Sequence, residues 1–380
     1  MAKAALRLLA SVLLGTPASS ATPAPASVRV YVGTYTSGES RGIYRLRLDL
    51  ATGTLTPEGE PAPAVDPSFL ALSADGTRLY AVNETGQSRD DAPGAVSAFA
   101  VDAATGALTL LNKVSSGGAA PCHLSLDREG RHVLVANYWG GSVAVFALES
   151  DGRLGRQTAF VQHEGENPTP RDPGPHAHAI HVDPAGRHSL VTDLGLDTLF
   201  VYGFDPGRGA LAPEPAPVAL GPGAGPRHLA FHPDGRFVYV INELSSTITA
   251  FAYAAGAARE LQTVSTLPAG FGGKNSTAEV AVSPDGRFLY GSNRGHDSLA
   301  IFAIDAASGK LTPVGHQPTR GRHPRHFALD PTGAYLIAAN RDSDNLAVFR
   351  VDRRTGRLEP VGEPLRLPRP VCVRVRLVGD

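Results

Sequence analysis

His178, Arg227, Glu243 and Arg294 supply an imidazole, two guanidinium groups and a carboxylate, and His176, Arg325, Arg341, Glu84 and Glu279 recur at related places in the chain. Several arginines facing one or two carboxylates and a histidine suit an anionic, oxygen-rich small molecule, because each planar guanidinium can hold two oxygens at once. The histidine and glutamate add proton transfer near neutral pH. These residues are scattered from position 84 to position 341, so the chemistry exists only if the fold gathers them.

An internal repeat does the gathering. Segments such as Phe69–Gly76, His228–Gly235 and Glu279–Gly286 are copies of one phrase that ends at Gly76, Gly130, Gly186, Gly235, Gly286 and Gly333, with spacings of 54, 56, 49, 51 and 47 residues. A period near 50 marks a repeated supersecondary unit. Each unit opens with an alternating apolar strand, turns at a Pro-Asp-Gly-like corner where glycine takes positive φ, and returns in a second strand such as Phe237–Ile241. A third strand such as Ser142–Phe146 and a fourth complete it. Helical periodicity is nearly absent, so the units are four-stranded antiparallel sheets arranged about an axis.

The N-terminus holds a seventh unit that lacks its first strand: Val28–Val32, Gly42–Asp49 and Leu55–Pro61 read as its second, third and fourth. Val371–Leu377 is an alternating strand with no unit of its own. The chain is therefore expected to be all-β, a seven-bladed β-propeller over residues 27–380, with the ring closed by the C-terminal strand pairing into the N-terminal blade and no open edge left. Cys122 and Cys372 then fall in non-adjacent blades and are expected to be free, buried thiols.

Because the chain aligns to itself, equivalent positions can be compared. Seven residues after each glycine come Asn83, Asn137, Asp193, Asn242, Asn293 and Asn340; this near-constant column predicts a turn-capping role and no metal ring. The next position varies: Glu84, Tyr138, Leu194, Glu243, Arg294, Arg341. Eight residues before each glycine come Ser68, Cys122, His178, Arg227, Ala278 and Arg325. A column whose charge changes from blade to blade serves no shared structural purpose. The two variable columns lie at the start of the first strand and the end of the antiparallel second, so they converge at one mouth of the central channel. The adjacent His123, His228 and His326 are expected to be core or hydrogen-bonded strand residues.

Composition removes several classes. Basic and acidic residues nearly balance, 35 against 36, which gives no field for nucleic acid or anionic membrane. No apolar run is long enough to span a bilayer, and two cysteines make no disulfide framework. Residues 1–26, with Lys3 and Arg7 before a short apolar stretch and Ala18–Ala21 as small residues for cleavage, read as a secretory signal peptide. A periplasmic or secreted location follows if that signal operates, and a cytoplasmic one otherwise. No nucleophile elbow, zinc motif or phosphate loop is present, so neither metal nor organic cofactor is expected.

Gly33–Thr36, Pro175–His178, Gly225–His228 followed by Val240–Glu243, and Ser292–Arg294 resemble the propeller-type lactonase family, which includes bacterial 6-phosphogluconolactonases and fungal carboxymuconate lactonising enzymes. The resemblance covers the mature chain. It implies His178, Arg227, Glu243 and Arg294 as catalytic residues, with His176 as the alternative histidine; the converging columns place His176, Arg325, Arg341, Glu84 and Glu279 about the substrate. The expected activity is metal-independent hydrolysis of a sugar-derived lactone, 6-phosphogluconolactonase-like, by a monomer whose partner is that small molecule. A muconate-type cycloisomerase is the alternative enzyme. A non-catalytic extracytoplasmic binding propeller is the alternative of another class; it would show an exposed aromatic or apolar rim and no converging Arg, His and Glu.

Overall fold

A computed structural model describes Met1 and residues 27–166, 174–213 and 217–377; the expected signal peptide lies outside the described residues. Seven antiparallel sheets follow one another around a ring. Blade one holds Ser27–Thr34 and Gly42–Asp49, with an outer strand split into Leu55–Pro57 and Ala62–Pro63 where one continuous segment was expected. Its innermost strand is Pro370–Leu377, paired antiparallel with Ser27–Thr34 from Val28 opposite Leu377 to Thr34 opposite Pro370. Blades two to seven take residues 70–115, 121–162, 177–219, 226–265, 276–318 and 324–366 in order. The C-terminal strand thus closes the ring as the repeat requires. No α-helix occurs among the described residues, and none of their helices could cross a membrane.

All six marker glycines sit in the left-handed region, with φ between 63° and 75°, which is why the Pro-Asp-Gly corners recur. Apolar side chains alternate along the second and third strands and bury themselves between neighbouring blades. Phe237, Tyr239 and Ile248 of blade five, for example, pack with Leu289, Ala300 and Phe302 of blade six. Tyrosines bolt successive blades: Tyr31, Tyr80, Tyr239 and Tyr290 donate to the carbonyls of Gly106, Gly152, Gly309 and Gly356 at 2.9–3.1 Å. Both cysteines are free and buried.

The Asn column is structural: Asp193 caps its own turn by accepting the Leu196 N–H at 3.1 Å, Asn137, Asn242, Asn293 and Asn340 bond the side chain five residues on, and the column also reaches beyond the turn. Asn83, Asn137, Asn293 and Asn340 donate through Nδ2 to the carbonyls of Val65, Ser116, Thr266 and Thr319, on the linkers arriving from the preceding blades. Asp193, the exception in residue type, binds the His163 ring at 2.7 Å and the backbone N–H of His176 at 2.8 Å.

Candidate active site

The start of the inner strand is bulged in six blades, and the bulges decide what faces the channel. Pairing steps from Pro226–Asn242 to His228–Ile241, from Ala177–Asp193 to Ala179–Thr192 and from Pro324–Asn340 to His326–Ala339, skipping Arg227, His178 and Arg325. Cys122 and Val371 are skipped likewise, and in blade six Ala278 and Glu279 lie between the paired Thr277 and Val280. A bulge re-aims its extra side chain. In blades three to seven the variable column eight residues before the glycine, Cys122, His178, Arg227, Ala278 and Arg325, is this bulge position.

Arg227 Nε donates to Glu243 Oε2 at 2.9 Å, and Arg294 Nη2 lies 2.8 Å from the same oxygen. Arg227 is 2 % exposed and Arg294 8 %. Arg227 Nη1 also donates to Ala278 O at 2.8 Å, and Arg294 Nη2 to Thr277 O at 2.5 Å. Among the described residues, Arg227 Nη2, Arg294 Nη1 and Glu243 Oε1 have no hydrogen-bond partner. Two cations and one carboxylate are therefore fixed by one shared oxygen, with donors and an acceptor left over. Burial pushes the Glu243 carboxyl up, but Arg294, Arg227 and Arg325 together outweigh it and hold it below the usual range. Burial, with Arg325 and Arg294 nearby, lowers Arg227 to about 10, still a cation at neutral pH.

His178 stands beside this clamp. Its ring centroid is 5.1 Å from that of His228, and its Nδ1 is 3.7 Å from Cys122 Sγ. Burial, then Arg227, His228 and Arg325, drive its pKa well below 6.5, so it is neutral. Burial likewise raises the Cys122 thiol, which excludes a thiolate nucleophile there.

Arg325 forms a second group with Glu84 and Tyr35. Its guanidinium is 3.8 Å from Glu84 and 5.3 Å from the centre of the Tyr35 ring, and the Tyr35 hydroxyl donates to Glu84 at 3.0 Å. Tyr35 escapes sequence reasoning based on the glycines because blade one has no marker glycine. The available signal was Thr34, which pairs with Pro370 as Asn340 pairs with Pro324 and so puts Tyr35 in the column of Arg341.

Three expected residues lie elsewhere. Glu279 is one layer deeper, 2.9 Å from His228 Nδ1 and 3.2 Å from His326 Nε2, rather than at the mouth. His176 is turned into the wall, stacked on Tyr138 with ring centres 4.6 Å apart and its Nδ1 3.2 Å from Tyr138 O. Arg341 is at the outer rim, with its Nε on Asp342 at 2.7 Å. His123, His228 and His326 are buried as expected, around Phe69, whose ring lies 4.2, 5.5 and 5.7 Å from theirs. This layer plugs the channel and separates the arginine mouth from a cavity of about 420 Å³ at the opposite end. No group of three or more histidine, cysteine, aspartate or glutamate residues placed to hold a metal occurs among the described residues.

Comparison with known proteins accords with this architecture. The sequence model of the family described as "Lactonase, 7-bladed beta-propeller" matches residues 29–375. A 6-phosphogluconolactonase of Bacillus subtilis is 38% identical over 299 residues, 78% of this chain and 83% of that protein. A 6-phosphogluconolactonase of Formosa agariphila is 33% identical over 306 residues, 79% of this chain and 86% of that protein. Among solved structures, the periplasmic gluconolactonase of Pseudomonas aeruginosa superposes with a TM-score of 0.87 at 36% identity, covering 93% of this chain and 100% of that one.

Proposed function

The chain belongs to the seven-bladed β-propeller lactonase family, and from that premise we propose that it hydrolyses a sugar-derived lactone, 6-phosphogluconolactone or an unphosphorylated aldonolactone, to the free acid. The observation that carries this reading is the clamp: Arg227 Nη2 and Arg294 Nη1 are unspent donors flanking a carboxylate with one free oxygen. A lactone carbonyl set between the guanidinium groups gains stabilisation as its oxygen becomes an oxyanion, and preorganised donors in a water-poor site contribute most to such a step. Glu243 Oε1 takes a proton from the attacking water. Collapse of the tetrahedral species breaks the ring C–O bond, and the proton returns from Glu243 to the departing alkoxide oxygen. His178, neutral and beside the clamp, orients the water.

The site's surroundings support an anionic substrate. A depression of about 580 Å³ at Arg294 is lined by Lys274, Asn275, Arg322 and His323 and also by Asp297 and Asp342; its cationic side, Arg294, Lys274 and Arg322, is the place for a phosphate or carboxylate. The muconate cycloisomerase and the pure binding propeller are not favoured, since the named relatives act as lactonases and the mouth carries a charged clamp in place of an apolar rim. All the residues of the proposed chemistry come from one ring, in keeping with a working monomer. Residues 1–26 and the periplasmic Pseudomonas relative support export.

Proton release in weakly buffered solution tests the proposal, with 6-phosphogluconolactone, gluconolactone, galactonolactone and a muconolactone offered with and without chelator. Chelator-insensitive turnover of one lactone, lost in Arg227→Ala and Glu243→Ala, is expected. A folded protein inert to the whole panel would refute it.

A further inference from the structure

His228 lies between a group that can only accept and one that can only donate. Its Nδ1 is 2.9 Å from Glu279 Oε2, and its Nε2 is 3.3 Å from Arg227 Nη1. A guanidinium has no lone pair to offer, and an ionised carboxylate has no proton. One arrangement satisfies both neighbours, with the proton on Nδ1 and the lone pair of Nε2 turned to Arg227. The geometry points to Glu279 and His228 as a positioning pair that aims the Arg227 guanidinium at the substrate, an inference that rests on the lactonase reading above.

Arg227 Nη1 has two hydrogens, directed to Ala278 O and to His228 Nε2, and Nε has one, directed to Glu243. The guanidinium plane is thereby pinned on two edges and the Nη2 pair is left to face the mouth. If His228 carried its proton on Nε2, an N–H would oppose an N–H and the plane would have to turn. Glu279 prevents this by giving Nδ1–H its acceptor. It is held in turn by its own backbone N–H, which donates to Ser292 Oγ at 3.0 Å, and it sits in the blade-six bulge that brings it inward. An imidazolium is also excluded, because burial and the adjoining Arg227 charge keep His228 neutral. Outer partners that fix a histidine tautomer in this way are familiar around metal sites, where their loss costs activity although they never touch substrate.

The test combines kinetics with nitrogen-15 NMR of the imidazoles, His228 being assigned by the signal missing from His228→Gln. The wild type is expected to show His228 as the Nδ1–H form. Glu279→Ala should shift it toward Nε2–H and lower kcat by about 10–100-fold with KM changed little, and Glu279→Gln, whose carbonyl still accepts, should restore both. In an Arg227→Ala background Glu279→Ala should cost nothing more, since the pair acts through Arg227. Should Glu279→Ala not fold, Glu279→Asp keeps the charge but withdraws it by one methylene, and should weaken the Nδ1–H signal and kcat together. Wild-type kcat and tautomer in folded Glu279→Ala or Glu279→Asp, or an undiminished loss in the Arg227→Ala background, would overturn the inference. The tautomer measurement needs no substrate, so an absence of turnover in the wild type would fall on the lactonase reading alone.

Discussion

The two upper layers of the channel differ by one position in sequence and contrast in chemistry. Arg227 is followed by His228, Arg325 by His326, Cys122 by His123 and Ala278 by Glu279. In the outer layer Arg227, Arg294 and Glu243 engage one another and still leave hydrogen-bonding atoms over. In the inner layer His228 has both ring nitrogens engaged, and its rings close around Phe69. Buried charge occurs in both, so burial of charge does not mark the site. Surplus bonding capacity in a reachable place does, because an unmet donor or acceptor away from bulk water is costly until a ligand meets it.

The contrast breaks most visibly in turnover. Arg294→Ala removes an outer-layer donor and is expected to lower kcat by about 10²–10³-fold, measured by the same proton-release assay. Arg294→Lys should recover little, since an ammonium cannot hold Glu243 and a carbonyl oxygen in one plane. A tenfold loss or less would mean that the surplus donors are not aimed at the reacting oxygen. Next in size is stability. Glu243→Leu leaves two buried guanidinium groups without their shared counterion and should cost about 3–5 kcal/mol in urea unfolding, a cost that the inner His→Gln replacements should not reach.

A pH series sharpens the comparison further. Burial first, and then Arg374, lowers His181 to about 4 and His326 to about 3 in the folded chain, whereas an unfolded histidine titrates near 6.5. Below that value the unfolded chain binds protons that the folded one refuses, so stability is complete above about pH 6.5 and drains away toward pH 4 and then 3. Melting temperatures taken across that range should fall steadily, and His181→Gln should flatten the upper part of the slope. Glu243, held ionised by its arginines, should keep turnover free of any titration near 6.5 wherever the protein is still folded. The smallest effect belongs to the rim of the blades: Tyr290→Phe gives up the bond to Gly356 and should cost about 0.5–1.5 kcal/mol while kcat stays unchanged.

Legibility in the sequence followed the repeat. Arg227, Glu243, Arg294 and His178 could be placed together because glycine corners and alternating strands set their distance from a shared reference. Tyr35 was lost with the missing corner of blade one. Glu279 was drawn one layer too high, since in blade six Ala278 and Glu279 together face Ser292 across the bulge, and the period of two that assigns strand faces fails where a residue is inserted. His176, two residues before His178, could not be told from it by type, and only packing on Tyr138 removed it from the clamp.

By itself, then, the sequence determined the propeller, its seven blades, its closure by Val371–Leu377 and the two columns that supply the mouth, because these depend on local turn chemistry and periodic burial repeated many times over. Which atoms of those columns are spent and which are free was decided only in three dimensions. Arg227 meets His228, Glu243 and Ala278 O through a bulge and across blade boundaries, and hydrogen-bond capacity is settled by contacts between segments that the order of residues does not record.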